Sequence, residues 1–253
     1  MRDYFDRSRH PTYGILFALP LLVLYELGAT LMNHGQSDIV RNGADVAVRR
    51  MLSAAGVSST LAVSAVLIAI GLLIVFREQR RAPVTLERSV FAWMLAESIG
   101  LALLFGTVVG GLTTAVMRRL PGVSLPGAEE ALLSLSAQSA LTLPQTLVLS
   151  LGAGLYEELV FRVVLVPILA GALLATGRVS RNGAWISAAV VASLLFSAAH
   201  YVGPFGDPLA LGSFLFRFLA GVLFCAILVL RGFGIVTWTH ALYDVFLALG
   251  RGG

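Results

Sequence analysis

An all-α, polytopic membrane fold is what this sequence predicts: a bundle of about seven to eight transmembrane helices enclosing a polar cavity. Three observations carry the expectation. Of the 253 residues, 57% are hydrophobic and 13% are charged, where an ordinary soluble domain has about 25% charged residues. The apolar residues fall in runs long enough to cross a bilayer, which takes about 20 residues of helix, and the mean hydropathy is +0.86. Finally, ionisable side chains lie inside several of these runs, where hydrocarbon makes each of them costly. Such groups need a polar interior.

The candidate spans, in order, are residues 12–32, 60–76, 91–117, 145–175, 183–200, 210–230 and 233–250. The first follows a charged tail, Met1 to Pro11, that lacks a small-residue cleavage pattern, so it is expected to stay as an anchor. Residues 41–57 mix Arg and Asp with apolar side chains and read as an interfacial amphipathic helix or a loop. Residues 120–144 carry Pro121, Pro126 and Pro144 around a weakly apolar run, and an eighth, short or re-entrant segment is expected there. No internal repeat stands out. The organisation expected is one integrated membrane domain, with N-terminal transmembrane, amphipathic and loop segments in residues 1–144 and a membrane core in residues 145–253.

The net charge of +4 comes from 18 arginines with no lysine, against 14 acidic residues. These arginines flank the spans, so the basic balance is read as membrane topology and no nucleic-acid partner is expected. With seven spans and a cytoplasmic N-terminus, ten arginines fall on the cytoplasmic side and six on the other, which favours that orientation. Cys225 is the single cysteine, which excludes an intramolecular disulfide.

The run Thr146–Pro167 contains Glu157, Glu158 and Arg162. On an α-helix Glu158 and Arg162 are four apart and can pair, while Glu157 is turned about 100° away. The expectation is that Arg162 neutralises Glu158 and that Glu157 faces a cavity. The competing reading is one ion-pair knot locking helices together, which one Arg facing two carboxylates does not favour. His200 ends the apolar run that begins at Ser187. His240 and Asp244, four apart, share a face of the last span. His10 and His34 read as surface residues. A single histidine on an apolar helix is ordinarily a hydrogen-bonded packing residue; three separate spans supplying Glu157, His200, and His240 with Asp244 raise the functional reading.

Two chemistries fit this set. In one, Glu157 is a general base that takes a proton from water, His200 helps to place that water, and His240 stabilises an oxyanion. In the other, Glu157, His200 and His240 ligate a divalent metal such as zinc, whose open position activates water. The spacing of the zincin motif is absent, so the cofactor stays open between a metal and none. Either way the reaction is hydrolysis. No Gly-x-Ser-x-Gly elbow is present, and Cys225 has no acid–base partner nearby, so a Ser or Cys nucleophile is disfavoured.

The string Glu157-Glu-Leu-Val-Phe-Arg162 resembles the Glu-Glu-x-x-x-Arg motif of the CAAX-protease and bacteriocin-processing (CPBP, or Abi) family, which includes the type II CAAX prenyl endopeptidases. Phe196-Ser-Ala-Ala-His200 is similar to its Phe-x-x-x-His motif, and His240-Ala-Leu-Tyr-Asp244 to its His-x-x-x-Asn/Asp motif. The resemblance covers about residues 145–250. It implies an intramembrane endopeptidase in which Glu157 and His200 activate water and His240 with Asp244 forms the oxyanion site, with Glu158, Arg162 and Phe196 supporting. Residues 145–253 then become the catalytic core, in a multi-pass protein of a bacterial inner membrane. An ionised Asp244 would repel an oxyanion, so orienting His240 is the role expected of it.

Other polar or small residues have plainer readings. Glu26, Glu97 and Arg217 are expected to form ion pairs between helices or to lie at the interface. Gly106, Gly110 and Gly111 are expected to let helices approach closely, Gly203–Pro208 to form a tight turn, and Pro167 to kink its helix. The expected partners are membrane lipids and a membrane-associated protein or peptide substrate, with the oligomeric state left open. Two competing functions are a non-catalytic immunity or scaffold protein of the same fold and a proton-coupled small-solute transporter. The latter would show internally repeated, broken helices.

Overall fold

The computed structural model describes residues 2–33, 41–120, 141–203 and 206–251. Among them the order of elements is α1 (Arg2–Ser8), α2 (Pro11–Met32), α3 (Gly43–Ala54), α4 (Thr60–Arg81), α5 (Arg88–Met117), α6 (Leu143–Gly152), a π-helix π1 (Ala153–Leu165), α7 (Val166–Ala175), α8 (Arg181–Ala199), α9 (Leu211–Arg231) and α10 (Phe233–Arg251). Seven helical stretches among the described residues are long and apolar enough to span: Pro11–Met32, Leu61–Arg81, Arg88–Met117, Leu143–Ala175, Arg181–Ala199, Leu211–Arg231 and Phe233–Gly250. Large apolar side chains stand on the outside of these helices, among them Leu61 at 80% exposure and Leu104 at 63%. Such surface has no place in water and suits hydrocarbon. The protein is an integral, multi-pass, all-α membrane protein. The eighth segment expected within residues 120–144 falls largely on residues 121–140, outside the described residues, as does His34.

Two compact units interleave along the chain. Unit 1 comprises Met1–Ala102, Thr142–Val160 and Ile227–Gly253; unit 2 comprises Leu103–Leu141 and Phe161–Ala226.

In unit 1, α2 is the central helix, with α4, α6 and α10 packed on it and α6 also against α10. It starts where His10 caps it, the ring Nδ1 accepting from the Thr12 N–H at 3.2 Å, and where Pro11 occupies the first turn, a position that needs no backbone donor. His10 is therefore half-buried and structural. Aromatic contacts hold α10 to α2: Trp238 Nε1–H donates to the Phe17 carbonyl at 2.7 Å. The two backbones meet at glycines, since a Cβ on Gly234 would lie 2.7 Å from the Gly14 carbonyl oxygen. The segment 41–57 is the helix α3. Asn42 caps its start, and Gly56 at φ +92 ends it while the Val57 N–H returns to the Leu52 carbonyl at 2.8 Å, a left-handed stop that glycine adopts without penalty.

The ion pairs expected of Glu26 and Glu97 are present in unit 1. Glu26 meets Arg49 at 2.5 Å and Arg41 at 3.4 Å, and both arginines also hold Asp45. Glu97 pairs with Arg231 and accepts from the Tyr4 hydroxyl at 2.6 Å. Burial, then that hydrogen bond, pushes the Tyr4 phenol well above its ordinary range.

In unit 2, α7 and α8 form an antiparallel pair packed through Val166, Ala170, Ala188 and Ala192, with Cys225 of α9 in the same cluster. The Ser197 hydroxyl donates to the Phe214 carbonyl at 2.7 Å, tying α8 to α9. Arg217 pairs with Asp207. The expected turn after His200 is a turn: the Asp207 N–H donates to the His200 carbonyl at 2.9 Å and Gly203 has φ +96, while Pro204 and Phe205 lie outside the described residues.

One local expectation is corrected among the described residues. A Cβ on Gly110 or Gly111 would meet no described atom within 4 Å, whereas one on Gly154 or Gly234 would run into a neighbouring backbone. Pro167 lies just after π1, inside the continuous helical stretch Leu143–Ala175. The departure from α-geometry lies upstream of it, in the thirteen residues of π1.

Candidate active site

The glutamate pair lies in π1, and its placement starts from two small residues. Gly152 and Gly154 precede the pair. A Cβ on Gly154 would stand 2.5 Å from the Thr237 carbonyl oxygen and 2.6 Å from both Ala241 Cβ and Ala241 N. Only a glycine lets this backbone come so near α10. Thr237 and Ala241 bracket His240, so the same contact brings the glutamates to that histidine. A Cβ on Gly152 would likewise run into the Tyr25 ring.

A π-helix turns each residue through less than an α-helix does because its hydrogen bonds reach five residues back. Neighbours therefore point in more similar directions. Glu157 and Glu158 accordingly approach one imidazole: Glu158 Oε1 lies 2.7 Å from His240 Nδ1, and Glu157 Oε2 lies 3.9 Å from His240 Nε2. Asp244 Oδ2 is 3.5 Å from Nε2. A carboxylate accepts, so His240 Nδ1 carries the hydrogen it gives to Glu158. The ring orientation expected from Asp244 is thus supplied at Nδ1 by Glu158, which is fully buried at 0% exposure. Glu157 Oε1 accepts from Asn42 Nδ2–H at 2.8 Å.

Unit 2 holds the other three candidates, on π1 and α8. Arg162 is buried at 2% exposure among aromatic faces, its guanidinium carbon 4.1 Å from the Phe196 ring centre and 5.4 Å from that of Phe224. Phe196 in turn packs edge-on against His200, with ring centres 5.0 Å apart. His200 Nδ1 lies 2.8 Å from the Phe196 carbonyl oxygen. A carbonyl only accepts, so Nδ1 carries the proton, and in the neutral ring the lone pair sits on Nε2, as a base or a ligand requires. Phe196 thus fixes both the tautomer and the plane of a histidine four residues on, a physical account of the Phe-x-x-x-His spacing.

The sequence alone gives no weight to Asn42, Tyr25, Asp45 or Tyr156, although all four belong to the hydrogen-bond network beside Glu157. Tyr25 donates to Asp45 at 2.8 Å, and Tyr156 donates to Glu26 at 2.9 Å. The available signal was an Asn directly before an amphipathic run, the mark of a helix cap; its reach to a residue 115 positions away is not written in the local pattern. Among the described residues no group of three or more His, Cys, Asp or Glu side chains that could hold a metal ion is found.

No curated protein sequence and no solved structure matches the chain. Residues 139–246 match the family described as type II CAAX prenyl endopeptidase Rce1-like. That region contains π1, α7, α8, α9 and most of α10, with the Glu157–Glu158–His240 cluster and the Arg162–Phe196–His200 stack. Through this region, the chain is similar to the CPBP family of CAAX proteases.

Proposed function

We infer that this protein is an intramembrane endopeptidase that hydrolyses a peptide bond of a membrane-associated, lipid-modified protein or peptide. The observation that carries the reading is the pairing of two carboxylates on one imidazole inside apolar helices: Glu158 engages Nδ1 of His240 at 2.7 Å, while Glu157 stands 3.9 Å from Nε2. The first is a hydrogen bond and the second is longer than one. Glu158 orients the ring, and Glu157 keeps an oxygen for a water molecule. Buried charge of this kind is costly in a membrane and is retained where it works.

In the reaction, Glu157 takes a proton from water as the hydroxide attacks the scissile carbonyl carbon. His240 donates from Nε2 to the oxygen that gains charge, an imidazolium there being flanked by the carboxylates of Glu158 and Asp244. Glu157 then returns the proton to the departing amine nitrogen, so the acid and base states are restored. His200, whose Nδ1 faces the Phe196 carbonyl so that the lone pair of the neutral ring sits on Nε2, is the second acid–base group that the family resemblance implies. A positioned general base is worth about 10²–10⁴-fold. The resemblance to type II CAAX prenyl endopeptidases points to prenylated CAAX-type substrates, and a farnesylated, internally quenched CAAX peptide is the probe of choice. Purified protein in lipid nanodiscs should release fluorescence from this peptide, and Glu157→Gln and His200→Ala should each lower the rate by at least about 10²-fold. Full activity in both variants would overturn the reading in favour of a hydrolysis that does not use them. An inert wild type would favour a non-catalytic scaffold.

A further inference from the structure

The side chain that steers Glu157 comes from a part of the chain outside the matched region. We propose that Asn42, at the cap of α3, is a positioning residue that fixes the carboxylate of Glu157 for water activation. This rests on Glu157 being the base, as argued above. Among the described residues Asn42 is the one hydrogen-bond donor to Glu157, from Nδ2 to Oε1 at 2.8 Å. That bond occupies one oxygen and directs the other, Oε2, toward His240. A glutamate side chain has three rotatable bonds and a terminal torsion with broad wells, so a single well-placed donor decides which way its lone pairs point.

Asn42 is itself held from three sides. Its Oδ1 accepts from the Ala44 N–H at 2.8 Å, which caps α3. Because that oxygen is committed to a donor, the amide cannot be flipped, and Nδ2 must face the other way, to Glu157. Its backbone N–H donates to the Tyr25 hydroxyl at 3.0 Å, and the Tyr25 hydroxyl in turn donates a hydrogen bond to Asp45 in the first turn of α3. Asp45, at 0% exposure, is clamped by Arg41 at 2.8 Å and by Arg49 at 2.6 Å. Arg49 then reaches Glu26 on α2, which accepts from Tyr156, the residue before Glu157. The network leaves Glu157 on one side and returns beside it on the other. It ties α3 and π1 to the same tyrosine and glutamate of α2. An interfacial helix lying loosely in the headgroups would need none of this, and its buried Asp45 would be a liability.

Capping and positioning can be separated because Ser and Asp both cap helices about as well as Asn. Asn42→Ser keeps the cap and removes the donor to Glu157. Asn42→Asp keeps the cap and sets a second carboxylate against it. In nanodiscs, with the farnesylated quenched CAAX peptide, Asn42→Ser should lower kcat by about ten- to a hundredfold, the range for losing a hydrogen bond to a charged group. KM should stay within about twofold, since the bond acts on the water-activating step and not on peptide binding. Asn42→Asp should be slower still, and both variants should keep the wild-type melting temperature. A cap-only role predicts full activity in both, and that result would overturn the proposal. A parallel loss of activity and melting temperature in both would overturn it too, in favour of a purely structural network. Glu157→Gln in the same assay separates this failure from that of the parent reading: if it is inert while Asn42→Ser is fully active, only the role of Asn42 falls, and if Glu157→Gln is active, both fall.

Discussion

Replacing Gly154 with Ala tests the geometric core of the site without touching a polar group. The added Cβ would sit 2.5 Å from the Thr237 carbonyl oxygen, where ordinary contact begins at 3.4 Å, so π1 and α10 must part by about 0.9 Å. Two of the opposing atoms are backbone and the third is the Cβ of Ala241, so no flexible side chain can swing clear. His240 sits between Thr237 and Ala241 and moves with them, so its 2.7 Å bond to Glu158 stretches to about 3.6 Å, beyond hydrogen-bond length. Overpacking of this kind costs about 1–3 kcal/mol. Losing a charge-assisted bond costs about 1.5–3 kcal/mol, and a misplacement near 1 Å at a reacting group can cost about 10²-fold in rate. The expected result is a fall of about 10²-fold in kcat on the farnesylated peptide, with a melting temperature lowered by a few degrees. Gly110→Ala is the control, because its Cβ meets no described atom within 4 Å; it should leave activity unchanged and stabilise by up to about 1 kcal/mol. A Gly154→Ala protein within twofold of wild type in rate and equal in melting temperature would refute the argument that this close approach sets the site.

Asp244 is half-exposed and stands 3.5 Å from a ring whose Nδ1 is already held by Glu158. Asp244→Asn should therefore keep activity within about fivefold, the worth of a partly solvated ion pair; a hundredfold loss in the peptide assay would assign it a direct part in the reaction. At the N-terminus, Tyr4 has its phenol raised by burial and by the bond to Glu97. Its contribution to stability is complete below the ordinary phenol value of about 10 and is lost as pH rises through the raised folded value. Tyr4→Phe should lower the melting temperature at neutral pH and weaken its decline at alkaline pH; an unchanged pH profile would remove Tyr4 from the latch with Arg231.

The seven spans were legible because hydropathy over some 20 residues is a local property, read without knowing any partner. Their expected limits differ from the observed ones by only a few residues, the largest shift being the second span, which runs on to Arg81 through a charged end that hydropathy discounts. Glu26, Glu97 and Arg217 were also legible, because a charge inside an apolar run must find a counter-charge, and each does. The glycines were not. Gly110 and Gly154 look alike in sequence, and only their surroundings show that one meets no described neighbour while the other admits α10.

The candidate site divides along the same line. Residue identity alone singled out Glu157, Glu158, His200, His240 and Asp244, because acids and imidazoles in hydrocarbon are costly enough to stand out against any apolar background. Which of them touch was decided by tertiary structure. An α-helical period turns Glu157 away from Glu158, whereas the π-helical segment directs both to His240. The donor to Glu157 is an asparagine 115 residues away, inconspicuous in a loop-like stretch. Periodicity records how a chain faces its own neighbours, and it holds no record of what another helix brings to the same point in space.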